Sequence, residues 1–110
     1  MESISLTAVA DEQLNLARQA HSGRAAQTIN GGHDHFLRQT VIALVAEHEL
    51  GEHESPGEAT LQVLNGHVRL NVGGMKTDAK AGEYVAIPPK RHSLLAVEDS
   101  VVLLTVLADR

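Results

Sequence analysis

The stretch GEHESPGEATLQVLNG, Gly51 to Gly66, holds a histidine, a Pro-Gly turn, and then a run that closes on Asn-Gly. Along Ala59-Thr60-Leu61-Gln62-Val63 the residues alternate in polarity, the period of a strand buried on one face. Asn65-Gly66 separates ATLQVL from HVRLNV, and an Asn-Gly pair between two β-patterned runs is a strong hairpin signal. These two strands are therefore expected to be antiparallel neighbours.

The same rhythm extends in both directions. Pro56-Gly57, Asn65-Gly66, Gly73-Gly74 and Gly82 set turn signals about eight to ten residues apart. Upstream, FLRQTVIALVA (Phe36 to Ala46) is rich in β-branched residues; downstream, short strands are expected at Tyr84 to Ile87, Ser93 to Val97 and Val101 to Leu107. The last of these, VVLLTVL, is apolar on both faces and so is expected to be covered on both sides. Ahead of the strands, Leu6, Val9, Ala10, Leu14, Leu16, Ala17 and Ala20 recur at spacings of three and four, predicting a helix from Leu6 to about His21 with Gly23 as its stop. Many short strands behind one N-terminal α-helix point to an all-β jelly-roll sandwich or barrel. The helix is expected to cover one end of that barrel or to pack on a second subunit.

With 110 residues, 43% of them hydrophobic, the chain suits one domain with a core. Residues 1–32 read as the helix and a lead-in strand, and 33–110 as the barrel. There are no cysteines, which removes disulfides, thiolate metal sites and a cysteine nucleophile. The formal net charge is -5 and the nine basic residues are scattered, so a phosphate backbone finds no cationic stripe. Phe36 and Tyr84 are the only aromatics besides histidine, too few for base stacking; no nucleic-acid partner is expected. No basic leader precedes an apolar run, and no window reaches the roughly 18 apolar residues of a spanning helix. A cytoplasmic protein with no membrane partner is the expectation.

His53, the Pro-Gly turn, the strand and Gly66, followed by Gly82, a strand, Pro88-Pro89 and His92, resemble the two motifs of the cupin family. Cupins are small double-stranded β-helix (jelly-roll) barrels, and three histidines and a glutamate in these motifs bind a divalent metal. Laid on that frame, His53 takes the first histidine position, Val63-Leu64 precede the closing Gly66, and His92 takes the histidine of the second motif. The second histidine position falls on Ser55 and the glutamate on Ala59. Glu58 is one residue away, and a one-residue shift on a strand turns the side chain to the other face. The loop before His92 is shorter than the family's, with Lys90 in place of its glycine, and its asparagine position falls on Ala96.

The resemblance implies a pocket lined by His53, Ser55, Ala59, Leu61, Val63, His92 and Leu94, which binds a small organic molecule with little or no catalysis. His53 and His92 are the metal candidates it implies, for Fe, Mn, Ni or Zn, completed by water, Gln62, Glu58 or a ligand. The alternative reading is a metal-dependent dioxygenase or isomerase with an unconventional third ligand, since active metal sites keep at least three protein ligands. A third is a regulatory or structural homodimer acting through another protein, with Val9, Leu14 and Ala17 at the subunit interface.

Other polar residues are weighed in the same way. His33 and His35 follow Gly31-Gly32 and suit a loop or strand entrance; His48 and His67 are expected to be exposed, and His21 to close the helix. Arg38, Gln39 and Thr40 interrupt the apolar pattern of their strand, Arg38 and Thr40 on one face and Gln39 on the other, so either a polar side chain reaches the cavity or the three sit at an exposed strand end. No GxSxG, phosphate-binding glycine loop or HExxH is present.

Overall fold

A computed structural model of the chain describes residues 1–54 and 57–108. Helix α1 runs Leu6–Gln19, two residues short of the expected end, and the Ser5 hydroxyl caps it by accepting from the Ala8 N–H at 3.1 Å. Nine strands follow: β1 Arg24–Asn30, β2 Leu37–Leu44, β3 Glu49–His53, β4 Glu58–Asn65, β5 His67–Val72, β6 Met75–Lys80, β7 Tyr84–Ile87, β8 His92–Ala96 and β9 Ser100–Leu107. They form two antiparallel sheets, one ordered β1-β2-β9-β4-β7 and the other β3-β8-β5-β6. This is an all-β jelly roll of facing sheets with one N-terminal helix.

The Asn65-Gly66 hairpin is corrected by this topology. Strand β4 pairs with β7 and β9, whereas β5 pairs with β6 and β8, so the chain changes sheet at Gly66. The turn is closed from outside: the Ser100 hydroxyl accepts the His67 N–H at 3.0 Å, and its proton lies within reach of the Glu98 carbonyl at 2.7 Å. A backbone donor that a hairpin partner would satisfy is thus satisfied by the β8–β9 turn. The true hairpin is at Gly73-Gly74, where Val72 faces Met75 and both glycines have positive φ, +54° and +87°. That is the conformation a two-residue turn of twisted strands demands.

Side-chain alternation sorts the core into two layers. Between the sheets pack Leu44 of β2, Ala59, Leu61 and Val63 of β4, Val68 and Leu70 of β5, Leu94 and Ala96 of β8, and Val102 of β9. On the outer face of the five-stranded sheet, Val41, Ala43, Val101 and Leu103 meet Ala10 and Ala17 of α1. Strand β9 is therefore covered on both sides along its first half, as its two-sided apolarity predicts. The helix covers a sheet face rather than a barrel end. Val9, Leu14 and Ala17, which the homodimer alternative puts at a subunit interface, pack on the chain's own sheet, Ala17 fully and Val9 and Leu14 in part.

Asp99 and Asp78 anchor ion-pair clusters on the outer surfaces. Asp99 accepts from the Ala46 N–H at 2.9 Å and from Arg18 at 3.0 Å, and these bonds, the backbone one foremost, hold its carboxyl below the usual carboxylate range. A carboxylate whose pKa is lowered by folding stabilises the fold above its unfolded pKa and loses that contribution as pH falls. Asp99→Asn is accordingly expected to cost about 1–2 kcal/mol at pH 7 through the weakened Ala46 bond. Melts recorded from pH 7 down to pH 3 should show that difference shrinking; a gap constant with pH would contradict the assignment. Asp78 is held well below its ordinary value by two bonds from Arg69 and one from His67. His67, expected to be exposed, is therefore half-buried in an ion-pair cluster.

Candidate functional site

His53 and His92 end adjacent strands of the four-stranded sheet and face each other in register. Strand β3 reaches this pairing through a bulge: Leu50 pairs with Leu94, and the register slips before His53 pairs with His92. Without the extra residue, alternation would turn His53 to the face opposite Leu50. With it, Leu50, His53, His92 and Leu94 line one small pocket between the sheets, together with Ile42, Leu61, Leu70, Ile87 and Leu104.

The two rings meet edge to face, their centroids 4.4 Å apart and their planes inclined at 65°. His53 Nδ1 lies 2.9 Å from the Gly51 carbonyl and His92 Nδ1 2.8 Å from that of Lys90. A carbonyl oxygen only accepts, so both Nδ1 atoms carry the proton and, in the neutral rings, both Nε2 lone pairs are left as acceptors. The short loop after Pro88 supplies this arrangement: the Lys90 N–H bonds to the Pro88 carbonyl at 2.7 Å, which turns the Lys90 carbonyl toward the ring. His92 is buried, 4% exposed, while His53 sits at the exposed rim. Above them Arg91 bridges Glu52 at 2.9 Å and Glu54 at 3.1 Å.

The remaining expected ligands are elsewhere. Ser55 lies outside the described residues. Ala59 and Val63 are buried between the sheets but do not line the pocket. Glu58 and Gln62 are exposed and alternate with Ala59 and Leu61, which puts them on the outer face of β4. Among the described residues, no three of His, Cys, Asp or Glu are placed to hold a metal ion. Two imidazoles without a carboxylate do not make up a closed transition-metal site.

Sequence reasoning missed the larger space. The inner pocket has a volume of about 30 Å³, room for little more than a water molecule. Beside it, between the sheet edges β6 and β7, runs a groove of about 320 Å³ lined by Leu70, Val72, Met75, Thr77, Val85 and Pro88 among others. Leu70 borders both spaces. The alternation of HVRLNV, with Val68, Leu70 and Val72 on one face, was the available signal for this wall. Strand β6 beside it, MKTDAK, is polar and largely exposed, which hides that Met75 and Thr77 also line the groove.

Comparison with protein-family models finds no match, and comparison with curated proteins finds none either. Solved structures do match. A conserved protein of unknown function from Streptococcus pyogenes aligns over 100% of this chain and 92% of its own, at 24% identity and a TM-score of 0.74. A cupin superfamily protein from Desulfitobacterium hafniense aligns over 78% of each chain at 16% identity and a TM-score of 0.72. The fold is that of the cupins. A salicylate 1,2-dioxygenase from Pseudaminobacter salicylatoxidans matches 91% of this chain with a TM-score of 0.76, at 20% identity, over only 33% of the enzyme. Likeness at these identities carries the cupin architecture and no activity.

Proposed function

We propose that this cupin-fold chain binds a small, largely apolar organic molecule in the β6–β7 groove, which borders the histidine pocket at Leu70. The observation that carries the reading is the groove itself. Its volume falls within the range of small-molecule sites, and its walls are mainly aliphatic. One aliphatic side chain, Leu70, stands between it and two imidazole acceptors. The salicylate 1,2-dioxygenase is named for a small aromatic substrate, which supports aromatic molecules of that size as first probes.

Indole suits the test, being apolar apart from one N–H donor. Titrated into protein with labelled methyl groups, indole is expected to give saturable shifts at Leu70, Val72 and Val85. Val85→Trp, which fills the groove from the β7 side, is expected to weaken this binding at least tenfold. No saturable shift in the wild type, or equal binding by the variant, would overturn the proposal.

The metal-dependent reading lacks its third ligand among the described residues. Elemental analysis of protein purified without chelators checks this directly. Stoichiometric Fe, Mn, Ni or Zn that vanishes in His53→Ala/His92→Ala would replace the binding role with metal chemistry.

A further inference from the structure

The inward face of the five-stranded sheet changes character at its β1–β2 corner. Along β2, Ile42 and Leu44 belong to the apolar core, but the next two residues on that face are Thr40 and Arg38. Thr28 of β1 lies opposite Thr40 in register, their hydroxyls 3.4 Å apart. These side chains, with Gly31, Gly32 and His33 of the β1–β2 loop, line a hollow of about 280 Å³.

Arg38 is the residue without a counterpart here. Its Nε is buried and has no hydrogen-bond partner, and among the described residues Arg38 forms no ion pair. Arg18, Arg69 and Arg91, by contrast, each meet a carboxylate. A guanidinium cannot shed its proton, and a buried donor left unpaired costs about 1–3 kcal/mol. A fork of donors is matched in shape and charge by a carboxylate or phosphoryl group.

We infer that this hollow is an oxyanion site, with Arg38 as the main contact and the Thr28 and Thr40 hydroxyls and the His33 ring as supporting polar groups. It recognises the carboxylate or phosphoryl group of a small molecule. The small residues of the loop leave its backbone open to close approach by such a group. Thr40 pairs in register with Leu104, a wall of the histidine pocket, so the hollow adjoins that pocket on the side away from the β6–β7 groove. The inference stands on Arg38 and its surroundings and does not require the groove to be filled.

The test uses inorganic phosphate and, separately, acetate, titrated into nitrogen-labelled protein at constant ionic strength with chloride as the other anion. Saturable shifts are expected at the amides of Thr28, Gly31, Gly32 and Thr40 and at the Arg38 Nε–H. Arg38→Gln should weaken the response at least tenfold. If that variant fails to fold, Thr28→Val supplies the comparison, with an expected loss of severalfold. Val85→Trp should leave anion binding unchanged, which separates this site from the groove. A response to one anion alone would support the site and assign its class. No saturable shift, or shifts that survive both substitutions undiminished, would overturn it.

Discussion

Gly66→Ala is expected to lower the stability of the fold by on the order of 2–5 kcal/mol. Gly66 has φ +86°, a left-handed conformation that costs a residue with a Cβ about 1–2 kcal/mol. The added methyl would also collide with the Asp99 carbonyl oxygen and the Ser100 hydroxyl, and would stand 2.8 Å from the Ser100 Cα. Two of those atoms are backbone, the Asp99 oxygen in the β8–β9 turn and the Ser100 Cα at the start of β9, which cannot swing aside as a flexible side chain can. Overpacking of this kind adds about 1–3 kcal/mol. In a thermal melt the sum corresponds to a drop of roughly 10–30 °C for a domain of this size. Gly73→Ala is the control, since it also has positive φ but nothing within 4 Å of the added Cβ. The close approach is assigned wrongly if the two variants melt together.

The same glycine shows what local pattern can and cannot convey. Asn65-Gly66 signals a reversal, and a reversal is there; the identity of the strand waiting on the far side is not a local property. Whether β5 returns beside β4 or crosses to the other sheet depends on Ser100 and on the β6–β7 turn, residues far along the chain. Within the turn, the Ala81 N–H bonds to the Gly66 carbonyl at 3.1 Å and the Gly82 N–H to the Val63 carbonyl at 2.8 Å. Contacts of that separation leave no mark on a short window. The leading helix poses the same difficulty: its apolar stripe declares that something covers it, without declaring whether the cover is a barrel end, a second subunit or, as found, Val41, Ala43, Val101 and Leu103.

At the histidine pair the reverse holds. His53 and His92 were singled out from a motif frame, and the folded chain brings them into ring contact. The β3 bulge between Leu50 and His53, which strict alternation would miss, is what turns His53 to the face of Leu50. Ala59 and Leu61 also face inward as that frame implies, while Glu58 and Gln62 face out, so the absent carboxylate is a fact of register. The groove stayed hidden because it is built from edges. Among the described residues neither β6 nor β7 has a partner on its outer side, and an opening between two sheet edges is a property of their separation, not of either sequence.

Leu70→Ala is expected to join the two spaces that this leucine divides. The side chain is 4% exposed and borders both the groove and the inner pocket, so its removal should cost about 2–5 kcal/mol. In exchange, indole should gain a path to His53 and His92. The ring C–H signals of both histidines are then expected to shift on indole addition, severalfold more than in the wild type, where Leu70 stands between probe and rings. Leu94→Ala is the matched control: it is equally buried and lines the inner pocket, but not the groove. It should carry a similar stability loss without the new histidine shifts. If the histidine signals respond equally in both variants, indole reaches the pair by another route, and Leu70 is core packing alone. If they respond in neither while the groove methyls do, ligands are confined to the groove and the histidine acceptors play no part in holding them.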